Sequence, residues 1–377
     1  MMTPPREMRT EGPVRLALVG GFLGAGKTTA LEALARELTR RGKRVGIVTN
    51  DQAAGLVDTQ TLGRLQLPIA EVAGGCFCCR FEDLLDSAQR VLDRAPVDVL
   101  LCEPVGSCTD MAATVLEPLR RFYGGVLRLA PFTVLVDPAR SEEMASLPAS
   151  VAYIFEKQLE EADVLAVSKS DLLAEEEARR LATELGARHG KAAFALSGWS
   201  GDGIAHWADL LLDEGESPIR ALQSIDYDLY AEGEAELGWL NAAAEVTAVP
   251  SLDAGQFARD VLNRIQTVCA AERAAIAHVK ASIADGSDVL LARANLTQTE
   301  GTPVVAAGDA DSLYTSRATL TLNARVGIDP GILGGIVIEA VQGAAAEAGA
   351  TARITSLQSF RPGYPRPPYR FAGPAVL

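Results

Sequence analysis

The chain has few aromatic side chains and few positive charges. Phe, Trp and Tyr make up 5% of its 377 residues, 35 Lys and Arg face 49 Asp and Glu, and there are three His. A net charge of −14 leaves no basic stripe able to displace counterions from a phosphate backbone, which argues against a nucleic-acid partner. No run of about 18 apolar residues occurs, so no membrane-spanning helix is expected. The opening stretch MMTPPREMRTEG lacks the apolar centre of a signal peptide, and the expected location is cytoplasmic. His189, His206 and His278 are dispersed and fall in helical patterns, so they are expected on helix surfaces. No internal repeat is present.

Hydrophobic content is nonetheless 48%, rich in Ala, Leu and Val, and the length suffices for two domains with their own cores. Apolar VRLALV ends in GGFLGAGKTTA, and an amphipathic LEALARELTR follows. Gly21, Gly26, Lys27 and Thr28 satisfy G-x-x-x-x-G-K-[ST] between a strand and a helix. Gly24, Ala25 and Gly26 give a loop with little side chain, whose N–H groups can surround phosphate oxygens at a helix N-terminus. Lys27 would reach the β- and γ-phosphates, the Thr28 hydroxyl would ligate Mg²⁺, and Thr29 could hold the α-phosphate.

Strand and helix patterns then alternate to about residue 213, which predicts a doubly wound, mostly parallel α/β sheet of the P-loop NTPase kind. Ligands of such sheets sit beyond the strands' carboxyl ends. The polar clusters fall there. Asp51 ends the second strand, where it could position an attacking water. Glu103-Pro-Val-Gly106 follows a core strand, placing an acid for Mg²⁺ and a glycine amide for the γ-phosphate. Ser168-Lys169-Ser170-Asp171 has the form [NTS]-K-x-D. Asp171 can accept from guanine N1–H and the N2 amine, the Lys169 stem would cover the base, and a Ser197 backbone amide could meet O6. Guanine is therefore expected over adenine.

Six cysteines occur, and a reducing compartment makes disulfides an unexpected use for them. Cys76, Cys78 and Cys79 form a three-thiol set suited to Zn²⁺ or Cu(I), with Co²⁺ and Ni²⁺ admitted. Buried small residues in a glycine turn and a redox switch are the competing uses. Cys102 and Cys269 read as core packing, and Cys108 has no assigned role.

Residues 213–241 carry eight acids and one base, as expected of an exposed linker or rim. The expected organisation is a P-loop GTPase domain at 14–213, an acidic linker at 214–235, an α+β domain at 236–360 and a Pro-rich extended tail at 361–377. Beyond 236 the strands and helices follow the order βαββαβ, a small ferredoxin-like domain. In that reading Asp253 caps a helix reaching residue 284, 297–317 is a polar loop, and Pro330 opens the second helix.

Taken in order, GGFLGAGKTT, the strand-end Asn50-Asp51, GGCFCC, E-P-V-G and S-K-S-D closely resemble the CobW-like GTPases, relatives of the hydrogenase and urease nickel-insertion GTPases. The resemblance is strong over 14–213 and looser over the rest, and G-C-x-C-C is its specific part. It implies slow GTP hydrolysis to GDP and phosphate with Lys27, Asp51 and Glu103 at the reacting end. That hydrolysis is coupled to holding a transition metal, zinc foremost, on Cys76, Cys78 and Cys79. The metal is delivered to a client metalloprotein or a cobalt or corrinoid enzyme, and a homodimer is a candidate assembly. The chain departs from many members in having Asn50-Asp51-Gln52-Ala53 for N-E-x-G, and in lacking a His-rich tract. Two other functions fit the residues less well: a nucleotide-binding thiol sensor without turnover, and a small-molecule P-loop kinase, which S-K-S-D disfavours.

Overall fold

The strand–helix alternation of the first half closes into one parallel sheet. The computed structural model describes residues 4–50, 65, 67–72, 74–144, 147–213, 215–308, 310 and 312–372. Among them the chain divides into two compact units, one formed by residues up to Gly233 together with Tyr364 onward, the other by Glu234–Gly363.

The first unit runs β1 (Val14–Gly21), α1 (Lys27–Arg40), β2 (Val45–Asn50), β3 (Ile69–Val72), α2 (Phe81–Arg94) and β4 (Val99–Glu103). A π-helical turn at Ala112–Leu116 leads into α3 (Glu117–Tyr123). Then come β5 (Leu127–Leu129), β6 (Thr133–Val136), α4 (Pro138–Glu143), α5 (Ala149–Glu161), β7 (Val164–Val167), α6 (Glu175–His189), β8 (Ala192–Ala195) and α7 (Ile204–Leu212). The sheet order is β3-β2-β4-β1-β6-β7-β8, all pairs parallel, with β5 beside the start of β1. Its central strands are buried almost throughout, as a sheet covered on both faces requires. Leu31, Leu34 and Leu38 of α1 are fully buried in one cluster with Val19, Ile47 and Leu101, each worth about 1.5–3 kcal/mol of burial. That packing fixes α1, and the loop before it, over the carboxyl ends of β1 and β4. The acidic stretch contributes α8 (Tyr227–Ala235), whose Tyr230 is fully buried with its hydroxyl 3.4 Å from the Thr109 amide.

Glu161, the last residue of α5, is buried, and its carboxyl accepts from the Ala112 amide at 2.8 Å and the Thr109 hydroxyl at 3.1 Å. Burial pushes its pKa up to about 8. A carboxyl raised in this way contributes stability that is fully present below the unfolded value near 4.5 and is lost as pH rises through 8. Urea unfolding of this unit between pH 5 and 8 is expected to lose up to about 1.4 kcal/mol per pH unit from this group. The loss should be absent in Glu161→Gln. Parallel pH profiles for the two proteins would refute it.

The second unit runs β9 (Gly238–Asp253), α9 (Ala254–Ala271), β10 (Ile276–Asp285), β11 (Leu290–Leu296), β12 (Val304–Ala307), β13 (Tyr314–Val326), α10 (Pro330–Glu347) and β14 (Ala350–Phe360). Its antiparallel sheet has the order β12-β11-β10-β13-β9-β14. Four of these strands, β14-β9-β13-β10, reproduce the split βαβ arrangement, and β11 and β12 form an added hairpin at one edge. Three expectations need correction. Asp253 does cap α9, accepting from the Gln256 amide at 2.9 Å, but the helix stops at Ala271. Arg273 turns left-handed at φ 55°, and Ile276–Asp285 is a strand. Ile276, Val279 and Ile283 have helical spacing, yet β10 lies between β11 and β13 and is buried along most of its length, which removes the alternation that marks a half-exposed strand. His278 is accordingly buried in this strand and does not lie on a helix surface. The polar loop at 297–317 also contains β12, a short edge strand whose exposed Val304 gave little pattern.

Candidate nucleotide and thiol site

Between β1 and α1 the chain turns tightly through Gly24 and Gly26 at φ 81° and 83°. A side chain on Gly26 would meet nothing within 4 Å, so the mouth of the loop is open at the helix N-terminus. The Ala25 amide donates to Phe22 O, which closes the turn. Lys27 is buried, and its Nζ donates to the Gly21 and Phe22 carbonyls at 2.9 and 3.4 Å. The Thr28 hydroxyl donates to Glu103 Oε1 at 2.9 Å, so the two groups expected to share Mg²⁺ are already paired. An added Cβ on Gly106 would lie 2.8 Å from Lys27 Nζ and 3.0 Å from the Leu23 amide nitrogen. The glycine of E-P-V-G is thus pressed against the lysine end of the loop.

On the other side of α1, Lys169 takes φ 56° and pairs with Asp137 at 2.6 Å. Asp171 accepts from the Ser197 hydroxyl at 2.5 Å. The Ser197 amide is spent on the Asp202 carbonyl at 2.9 Å, so in this state the residue orients Asp171 through its side chain. Gly198 packs so closely on Thr29 and Ala30 that a Cβ would lie 2.6 Å from the Ala30 nitrogen, which ties the S-K-S-D end to the P-loop helix. The Ser168 hydroxyl is buried with no hydrogen-bond partner among the described residues.

Cys76, Cys78 and Cys79 occupy the turn between β3 and α2, and their sulfurs all lie within 4.8 Å of one another. Cys76 and Cys78 sulfurs are 2.7 Å apart, and Cys79 lies 3.8 Å from Cys78. All are free thiols. Hydrogen bonds from Cys108, Cys78 and Cys79 hold the Cys76 thiol well below its usual range, while donating to that sulfur pushes Cys79 up to about 12. The set is three sulfurs within reach of one ion, a donor set that fits a thiophilic divalent metal.

A family model described as CobW/HypB/UreG, nucleotide-binding domain, matches residues 15–195. Over those residues the chain is similar to that domain. The chain is similar to the zinc chaperone YjiA of Escherichia coli, 27% identical over 175 residues that make up 44% of this chain and 52% of that protein. It is similar to the zinc chaperone CobW of Pseudomonas aeruginosa, 24% identical over 207 residues, 47% of this chain and 54% of that one. The zinc-regulated GTPase metalloprotein activator 1 of Schizosaccharomyces pombe is 23% identical over 175 residues, 44% and 41% of the two chains. The chain spans about half the length of the curated relatives it matches.

The first unit brings together Lys27, Thr28, Glu103 and Gly106, the three clustered cysteines, and Asp171 with Ser197. Asp51 lies outside the described residues. Several groups were not singled out in the sequence. Asn50 ends β2 and holds the thiol turn: its Nδ2 donates to Val72 O at 3.0 Å and Gly75 O at 2.7 Å, and its Oδ1 accepts from the Phe77 amide at 2.9 Å. An asparagine at a strand end facing a glycine turn was the available signal. Buried Gln158 of α5 donates to the carbonyls of Gly106 and Cys108 at 2.9 and 2.8 Å, a contact with no local sequence pattern.

The Pro-rich tail is extended, and from Tyr364 it belongs to the first unit. The Arg366 amide donates to Cys79 Sγ at 3.1 Å. Tyr369 stacks edge-on against Phe81 and Phe122 at 5.4 and 5.3 Å, and Arg370 grips buried Asp110 at 2.8 Å. The Phe371 amide donates to Ala113 O at 2.9 Å.

Proposed function

We propose that the protein is a GTP-hydrolysing metallochaperone that holds a thiophilic divalent ion, zinc foremost, on Cys76, Cys78 and Cys79 and releases it to a client metalloprotein. One observation carries this reading. β2 and β4 are adjacent, with Thr49 in register with Glu103, so the next residue, Asn50, hangs the thiol turn beside the strand end that presents Glu103 to Thr28. Metal and nucleotide groups are built on neighbouring strand ends. The relatives named as zinc chaperones favour zinc, and thiolates also admit cobalt and nickel.

In this mechanism the loop amides and Lys27 bind the phosphates, and Asp171, oriented by Ser197, accepts from guanine. Thr28 and Glu103 would hold Mg²⁺, which when bound neutralises charge on the β- and γ-phosphates. The Gly106 amide donates to the γ-phosphate, and Asp51 is assigned to orienting the attacking water. Loss of the γ-phosphate frees the Gly106 loop, and through Asn50 and its neighbours the thiol turn responds.

Linkage makes the proposal measurable. If a GTP analogue changes metal affinity by some factor, metal must change GTP-analogue affinity by the same factor. The expected coupling is about 5–150-fold, or ~1–3 kcal/mol. Zinc titration against a chromophoric chelator in the apo, GDP and GTP-analogue states tests it. Identical zinc affinity in all three states would leave a nucleotide-binding protein with an unrelated thiol cluster.

A further inference from the structure

The tail reaches the thiol turn through a run in which prolines leave little choice of contact. Pro365, Pro367 and Pro368 have no backbone N–H, so Arg366 carries the one main-chain donor of residues 365–368. That donor goes to Cys79 Sγ at 3.1 Å. Proline also fixes φ at about −65°, so the run is stiff and moves as one piece. Cys79 is the sulfur that decides access. Cys76 and Cys78 are 4% and 2% exposed, and of the three only Cys79 is half-buried. The tail lies on the one member of the set that solvent reaches.

What holds the run down sits just beyond the prolines. The Arg370 guanidinium donates to both carboxylate oxygens of Asp110, at 2.8 and 3.3 Å, and to Leu222 O at 2.8 Å. Asp110 is buried, and the Tyr227 hydroxyl also donates to it at 2.7 Å. A carboxylate this buried holds its counter-ion firmly, because an opened pair leaves a desolvated charge behind. Tyr369 stacks on Phe81 and Phe122, and the Arg121 guanidinium lies 4.2 Å from the centre of the Phe371 ring. Ahead of this anchor the ties are lighter. Tyr364 donates to Asp228 at 3.0 Å on the surface, and Arg366 has its bond to sulfur.

We propose that the tail is a latch on the thiol site, with Tyr369, Arg370 and Phe371 as its catch and the proline run as its cover over Cys79. While the catch is seated, the cover limits how fast the sulfurs exchange with their surroundings. When it is released, the run lifts as a unit and Cys79 is open. The inference rests on the metal reading above for what is exchanged, and on the tail's own contacts for the cover. An ion enters and leaves through the open state, so the latch scales uptake and release by the same factor and leaves affinity to the ligands.

The first measurement takes full-length, metal-free protein purified anaerobically and times iodoacetamide alkylation of each cysteine by mass spectrometry. Arg370→Ala is expected to speed labelling of Cys79 at least ~10-fold, the factor that a hydrogen bond to a charged group puts on the open population. Losing the amide donor would by itself disfavour the thiolate and slow the reaction, so acceleration reports uncovering. Tyr369→Ala leaves the Asp110 pair in place and should act in the same direction, so the test stands even if Arg370→Ala folds poorly. Buried Cys102 and Cys269 should keep their wild-type rates in both variants. Wild-type labelling of Cys79 in both variants, or equal acceleration at Cys102 and Cys269, overturns the latch. The second measurement follows zinc uptake and release against a chromophoric chelator, and both rates should rise together in the variants. An altered zinc affinity at unaltered rates also overturns the latch. Wild-type protein that binds no zinc overturns the metal reading, and the alkylation rates then decide the cover by themselves.

Discussion

Replacing Cys78 and Cys79 together by serine is expected to weaken zinc binding by at least ~1000-fold while leaving GDP affinity within about twofold. A complete structural set of zinc ligands is worth about 10–16 kcal/mol, so losing two sulfurs costs on the order of 5 kcal/mol, and each 1.4 kcal/mol is a factor of ten. The remaining thiol is also weakened. The Cys76 thiol, whose pKa the neighbouring sulfurs hold down, loses two of those sulfurs in the double variant. The nucleotide groups are anchored outside the thiol turn, Lys27 on the Gly21 and Phe22 carbonyls and Thr28 on Glu103, so GDP affinity should hold. Chelator competition for zinc and fluorescent-GDP binding give the two affinities. A double variant that still holds zinc as tightly as wild type would remove the thiol turn from the metal site altogether.

Gly106→Ala should separate GTP from GDP. The added methyl would lie 2.9 Å from Leu23 Cδ2 and 3.0 Å from the Leu23 amide nitrogen, and only the Lys27 end can give way freely. The glycine loop must therefore back away from the P-loop, taking its amide with it. A hydrogen bond from an amide to a charged phosphate oxygen is worth about 1.5–3 kcal/mol, so affinity for a GTP analogue is expected to fall ~10–100-fold. GDP lacks the γ-phosphate and should lose far less. Binding of labelled GDP and of a labelled non-hydrolysable GTP analogue, in the presence of Mg²⁺, decides it. Equal affinities of variant and wild type for the analogue would mean that Gly106 is only a spacer.

The parts of this protein that could be read in advance are those whose information is contiguous. The phosphate loop is one run of residues in which glycines, lysine and threonine must follow each other, and its neighbours in space are its neighbours in sequence. The thiol triplet is equally local. Asn50 holds the same thiol turn but arrives from another strand end, and the β2–β4 register sets that end beside Glu103. In the second unit the β10 segment shows the opposite failure. Its apolar spacing suits a helix, and burial between two other strands, a tertiary fact, decides for a strand. The split βαβ core was still legible because its two helices carry their own start signals, Asp253 as a cap and Pro330 at the first turn.

The tail that meets Cys79 sets an order of events in biosynthesis. The parallel-sheet unit and its thiol turn leave the ribosome first, and about 150 further residues separate the end of α7 from Arg366. At ~5–20 residues per second the turn exists for roughly 10–30 s before the amide that donates to Cys79 has been made. During that interval nothing from the tail covers the thiols. A nascent chain and a finished one thus present the same sulfurs in two different surroundings.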